Sequence, residues 1–188
     1  MSQITTLAQL TALYPSAHPL TISKVVNALD PHTITFIEHS PFMLMSTSDE
    51  KGFIDISPRG GLPGFIKVLD SKNIAFPDSP GNNRLDSLKN IIERPQIGLI
   101  FTIPGIEEVV RIKGTASIHT DPKLLTLCLD GKTEPKLVIK VTIEQTFFHC
   151  PKAIMLAKLW SSDSHVKRDF LPSLLQVIKD QKSHFEKE

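Results

Sequence analysis

The sequence predicts a mainly β domain built as an antiparallel barrel, with flanking helices at both ends. Three observations carry that expectation. About seven short apolar runs lie between residues 41 and 150, each bounded by Gly, Pro, Asn, Asp or Ser. Few helices fall among these runs, so the strict strand–helix alternation of a parallel sheet is missing. Helical periodicity is concentrated before residue 41 and after residue 150. The expected organisation is a helical arm over 1–40, a barrel domain over 41–162 and a C-terminal helix over 163–188.

Each element has its own signal. Leu7, Leu10, Ala12 and Leu13 form a loose helical stripe closed by Pro15. Thr21 is placed to cap a second helix carrying Ile22, Val25, Val26 and Leu29. Asp30-Pro31 opens a third, which ends before Pro41. Phe42 to Ser46 and Phe53 to Ile56 flank a polar turn ending in Gly52, which reads as a hairpin. Ser57 to Gly64 holds three Gly and two Pro, a composition expected to exclude any regular element. Phe65 to Leu69 and Asn73 to Phe76 read as two further strands. A helix is expected over Arg84–Glu93, with Leu85, Leu88, Ile91 and Ile92 on one face, ended by Pro95.

Gln96 to Ile103, Val109 to Ile118 and Lys136 to Phe148 complete the strands. In the last of these, Leu137, Ile139, Val141 and Ile143 are expected to be the buried set. Asp121-Pro122 opens a short helix to about Leu129. Pro151 to Trp160 and Leu171 to Phe185 read as the closing helices.

Composition excludes several classes. Apolar residues make up 40% of the 188-residue chain and charged residues 22%, which rules out disorder throughout. Lys and Arg number 21 against 20 Asp and Glu, which argues against a uniformly basic nucleic-acid binder and leaves room only for a local basic patch. The longest apolar stretch, Ile97 to Ile103, is far too short to span a bilayer, and MSQITTLAQL does not read as a signal peptide. A cytoplasmic protein without a membrane or nucleic-acid partner is expected. Cys128 and Cys150 fit no zinc pattern and read as free thiols.

The phosphate-loop, dinucleotide-loop and nucleophile-elbow motifs are all absent. His149 and Cys150 are adjacent on a strand and point to opposite faces, so no metal site is expected. Glu107-Glu108 reads as a solvated turn. Two segments invite a ligand. Phe76 to Arg84 runs from a strand through a Pro/Gly/Asn loop into a helix start, where free N–H groups and the dipole suit an anion. Arg84 would add a planar fork there, against the dipole's own preference. An anion pocket and an ordinary exposed Arg after a turn are both open readings. Ser57 to Gly61 holds Arg59 in a stiff loop with accessible backbone N–H groups, although a wide turn between hairpins is the simpler reading. Arg111 interrupts an apolar strand and must face solvent, a partner or a ligand. Lys152 and Trp160 flank a short helix, where Trp160 suits either core packing or cover for a flat ring.

Taken together, Asp55-Ile56-Ser57-Pro58-Arg59-Gly60-Gly61, Pro63-Gly64-Phe65, Phe76-Pro77-Asp78-Ser79-Pro80-Gly81-Asn82-Asn83-Arg84-Leu85-Asp86 and Phe148-His149-Cys150-Pro151-Lys152-Ala153 resemble the FMN-binding split-barrel flavoproteins related to pyridoxamine 5′-phosphate oxidase. The resemblance spans roughly residues 20–162 and is closest to an uncharacterised bacterial subgroup, not the oxidase proper. It implies a six-stranded antiparallel split β-barrel and a homodimer with one FMN in each of two interface clefts.

The site residues follow from the same resemblance. Arg59 would reach the FMN phosphate or ribityl chain. Phe65 and Ile66 would offer backbone contacts to the ring edge. Phe76, Pro77 and Asp78 match the strand end beside the phosphate, and Asn82, Asn83 and Arg84 the polar pocket at the next helix. Arg111, Lys152 and Trp160 would arrive from the second subunit. The Arg-x-His pair that holds pyridoxal phosphate in the oxidase is missing, since Arg168 is followed by Asp169 and Phe170. That argues against vitamin B6 oxidation.

The implied function is an FMN-dependent oxidoreductase acting by hydride transfer on a small organic substrate, with a nicotinamide compound as a possible electron donor. No residue stands out as a general base. The alternatives are a flavin protein for storage, sensing or electron transfer, and a split barrel for haem or a deazaflavin, with His149 or His165 as the first axial ligands to test.

Overall fold

The computed structural model describes residues 3–186. Seven strands form one antiparallel sheet: β1 (Phe42–Ser48), β2 (Ile54–Gly60), β3 (Lys67–Asp70), β4 (Asn73–Pro77), β5 (Gln96–Thr102), β6 (Val109–His119) and β7 (Val138–His149). Their order is β2-β1-β5-β6-β7-β4-β3. Seven is the number read from the apolar runs; the resemblance implied six. Strands β2 and β3 are the two unpaired edges, and one buried cluster draws on β1 and on β4 to β7. The result is a split barrel.

Among the described residues, seven helices flank it: α1 (Leu7–Thr11), α2 (Pro19–Ser23), α3 (Pro31–His39), α4 (Asp86–Glu93), α5 (Pro122–Leu127), α6 (Lys152–Ala157) and α7 (Leu174–Phe185). Helix α3 starts as its sequence dictates. Asp30 caps it by accepting from the His32 and Thr33 amides at 2.9 and 3.2 Å, with Pro31 in the first turn. Its Phe36 and Ile37 enter the core, where Phe36 meets Phe148 edge-on at 5.5 Å. No helix among the described residues is long and apolar enough to cross a membrane.

The structure corrects several expectations. Strand β2 runs through Ser57, Pro58 and Arg59 to Gly60, where composition argued against any regular element. Because β2 is an edge strand paired only to β1, Pro58 leaves no sheet hydrogen bond unmade on the open side. Phe65 and Ile66 precede β3 and belong to the turn, not to the strand. The second helix is α2, capped by His18 and finished by Ser23; Val26 instead forms an isolated bridge with Thr146 of β7. Helix α4 begins at Asp86, because Leu85 adopts a left-handed conformation at φ 62°. Leu85 and Ile92 are therefore exposed, and α4 docks through Leu88, Ile91, Ser87 and Asn90.

In β7 both faces are covered around Val138 and Ile139. Val138 was expected outside the buried set, yet it packs with Ala75 and Cys128 in a second cluster beneath α5, while Leu137 is only half-buried. Burial there pushes the Cys128 thiol up, against the opposing pull of Lys67. Both cysteines are free, Cys150 being exposed.

Candidate functional site

Sheet register decides which way each charged side chain points. Arg59 lies opposite Met43, which lies opposite Phe101, which lies opposite Val110. Met43, Phe101 and Val110 are core residues, so Arg59 stands on the inward face at the edge strand. Its Nε is buried and has no hydrogen-bond partner. An orphan donor on a charged group is costly, and such atoms mark places built for an acceptor.

Asp78 follows β4 directly and its amide donates to the Leu137 carbonyl at 3.1 Å. Burial raises its carboxyl above the usual range, and the Arg59 guanidinium draws it back only in part. Edge strand β2 and the end of β4 thus bring a free donor and a half-buried acceptor within electrostatic reach of each other, though not into a salt bridge. Phe76 and Pro77 lead into this point, but both are buried. Phe76 is closed off in the core, so its side chain supports the site and does not line it.

The neighbouring loops are shaped by close contacts. Phe65 lies so near Gly61 that an added Cβ there would meet its Cβ and Cγ at 2.8 Å. Any side chain at 61 would have to displace Phe65, the residue before the buried Ile66. In the other loop, Asn82 Oδ1 accepts from the Arg84 amide at 3.0 Å, and Asn83 sits in the left-handed region at φ 60°. Arg84 is exposed and pairs with Asp86 at 2.8 Å. The expected opposition between Arg84 and the helix dipole is therefore absent: the carboxylate of Asp86 occupies the first turn and neutralises the guanidinium.

Helix α4 holds this loop to the sheet through polar contacts. Ser87 donates to Asp55 at 3.1 Å and Asn90 donates to Thr47 at 3.0 Å. In the sequence Asp55 and Thr47 look like ordinary strand residues. Their signal is their place on the inward parity of β1 and β2, where a polar side chain needs a partner.

The other expected residues lie elsewhere. Arg111 pairs in register with Ile100 and Phe147, and Ile100 with Leu44, on the outward face. Its guanidinium carbon is 5.4 Å from the Phe147 ring centre. Lys152 is exposed on α6, and the Trp160 indole donates to the Ile106 carbonyl at 2.8 Å, tying it to the β5–β6 turn. Within one protomer, then, Arg59 and Asp78, the residue that leads into the 79–84 loop, feel each other's charge, while Arg111 opens on the other side of the sheet.

Outward from Arg111, the sheet face carries a trough of about 540 Å³ lined by Leu44, Ile54, Ile56 and Ile100 among others. Ile54 and Ile56 are well exposed on edge strand β2. Among the described residues no group of His, Cys, Asp and Glu is placed to hold a metal ion.

Residues 29–150, well over half of the chain, match the pyridoxamine 5′-phosphate oxidase family. The chain belongs to this family. Similar solved structures include HupZ of Group A Streptococcus, at 22% identity and TM-score 0.51, covering 64% of this chain and 93% of that one. A candidate pyridoxamine 5′-phosphate oxidase of Lactobacillus delbrueckii is 22% identical with TM-score 0.51, covering 65% and 95% of the two chains. A conserved hypothetical protein of Mycobacterium tuberculosis is 12% identical with TM-score 0.50, covering 71% and 91%. At these identities the structures attest the fold. No curated protein matches the sequence.

Proposed function

We propose that this chain is an FMN-dependent oxidoreductase that works as a homodimer, with FMN in each cleft between subunits and a small organic molecule as substrate. The observation that carries the reading is the buried, unpartnered Nε of Arg59, with the half-buried carboxylate of Asp78 within its electrostatic reach. A donor without an acceptor and an acceptor shielded from water suit the hydroxyls and phosphate of a ribityl phosphate chain. Haem leaves that arrangement less well explained, since it offers neither ribityl hydroxyls nor a phosphate.

Bound FMN would accept and donate hydride at its ring. The protein's own residues bind and orient. Arg59 would donate to a phosphate or ribityl oxygen, and Asp78 would accept from a ribityl hydroxyl. Asn82, Asn83 and Arg84 would hold the phosphate, Arg84 leaving Asp86 to do so. Backbone groups of Phe65 and Ile66 would contact the ring edge. Arg111, Lys152 and Trp160 would come from the second subunit, where a cation would favour the reduced flavin.

The dimer is supported by geometry. Arg59 and Arg111 stand on opposite faces of one sheet, so a single site that uses both needs two copies. Two free cysteines fit a reducing, cytoplasmic setting.

Anaerobic mixing of the flavin-loaded protein with NADH or NADPH tests the oxidoreductase reading. Bleaching of the flavin absorbance is expected. A spectrum unmoved by either donor, yet bleached by dithionite, would contradict a nicotinamide-driven reaction.

A further inference from the structure

The outward face holds a second concentration of charge. Phe147 is approached by two cations: Arg111 at 5.4 Å and Lys24 at 5.3 Å from the ring centre. His149 lies two residues on, on the same strand face, with its ring centre 6.2 Å from that of Phe147. Lys24 does not drift there. The Val26 amide donates to the Thr146 carbonyl at 3.0 Å and the Thr146 amide donates back at 2.8 Å, so the segment after α2 is stitched to β7. The Lys24 ammonium then donates to the Phe148 carbonyl at 2.9 Å.

No carboxylate among the described residues lies within salt-bridge distance of these groups, although Glu144 and Lys113 line the same trough as Arg111. Among the described residues the ion pairs are Arg84–Asp86 and Lys182–Glu186, so neither Lys24 nor Arg111 has a carboxylate partner. Two unpaired cations held around one ring repel each other, and the arrangement gains only when an anion joins them. Arg111 also lines the apolar trough, which gives such an anion room for an apolar body.

We infer that Lys24, Arg111 and His149 form a binding site for the oxyanion group, carboxylate or phosphate, of a small organic ligand. In the flavin enzyme proposed above this ligand is the substrate, an organic acid or phosphate ester whose body lies along the trough; that role rests on the flavin reading, whereas the binding does not. Lys24 and Arg111 supply permanent charge, Arg111 a planar fork. His149 adds a donor that becomes charged when the ligand arrives. Burial, Arg111 and then Lys24 hold its imidazole below the ordinary range, so at neutral pH it is uncharged until an anion offsets the two cations.

The test follows the His149 imidazole by NMR in the full-length, flavin-loaded protein, with benzoate and, separately, inorganic phosphate. The expected result is an upward shift of about one pKa unit on anion binding, with benzoate bound about tenfold more tightly below that pKa than above it. Whichever anion binds more tightly identifies the carboxylate or the phosphate source. Lys24→Gln should abolish the shift while leaving flavin content unchanged, and Lys179→Gln, at an exposed position on α7, should leave the shift intact. A shift that survives Lys24→Gln, one lost with Lys179→Gln, or no response to either anion would overturn the site. Failure of the flavin reading shows separately, as a colourless wild-type protein whose His149 still responds to the anion.

Discussion

Arg59 and Arg111 point away from opposite faces of the same sheet. Arg59 shares its face with Met43, Phe101 and Val110, and Arg111 shares the other with Leu44, Ile100 and Phe147. Both were expected at the flavin, one from each subunit. Their separation within a protomer follows from strand parity alone, and it makes the two-copy arrangement the simplest way to unite them.

Replacement of Arg59 tests its inward role. Arg59→Met removes an unpartnered buried donor, whose desolvation costs about 1–3 kcal/mol, so the flavin-free protein should unfold at a higher temperature. FMN affinity should fall by about 1.5–3 kcal/mol in the same variant. Thermal melts and fluorescence titration read both; a variant with unchanged FMN affinity would remove Arg59 from the site.

Asp78 imposes a pH dependence with a definite sign. Its folded pKa is raised above the unfolded value, so the folded state holds the proton more tightly. Stability from this group is present at acid pH and declines as pH rises through the window between the two values. The melting temperature of Asp78→Asn relative to wild type should therefore be more favourable at about pH 7 than at about pH 4. An equal difference at both values would show that Asp78 is not shielded from water.

Arg84→Ala separates surface pairing from ligand binding. The Arg84–Asp86 pair is exposed, so its loss should change stability by no more than about 1 kcal/mol. FMN affinity should nonetheless drop by about 1.5–3 kcal/mol. A loss of stability without a loss of affinity would assign the residue to the loop and not to the phosphate.

Gly114 tests the barrel itself. It sits at the β6–β7 irregularity, where an added Cβ would run into the Thr142 carbonyl, a backbone atom with nowhere to go. Gly114→Ala should cost about 1–3 kcal/mol or more, read as a fall in denaturation midpoint. A midpoint equal to wild type would mean that the two strands separate there freely.

Much of this was legible in the residues. The Asp30-Pro31 cap, the turn at Gly52, and the apolar runs of β5 and β6 each carry a local signal that tertiary contacts did not override. The failures have one cause in common. Pro58 looked like a strand breaker because nothing local says that β2 lies at an edge. Val138 looked solvent-facing because the second cluster that covers it comes from β4 and from Cys128, distant in sequence. For the site, Arg59 and Asp78 were found through a motif, but the sheet topology that brings them within electrostatic reach could not be read from it. Lys24 gave no signal, since its place depends on the Val26–Thr146 bridge between segments far apart in the chain.

The most direct measurement is the absorbance spectrum of the freshly purified protein, followed by mass identification of whatever heat releases. A flavin band and about one FMN per chain are expected from a cofactor-bearing site of this kind. A colourless protein that also fails to take up added FMN would contradict the account, and would leave the Arg59–Asp78 pair without the ligand it is argued to serve.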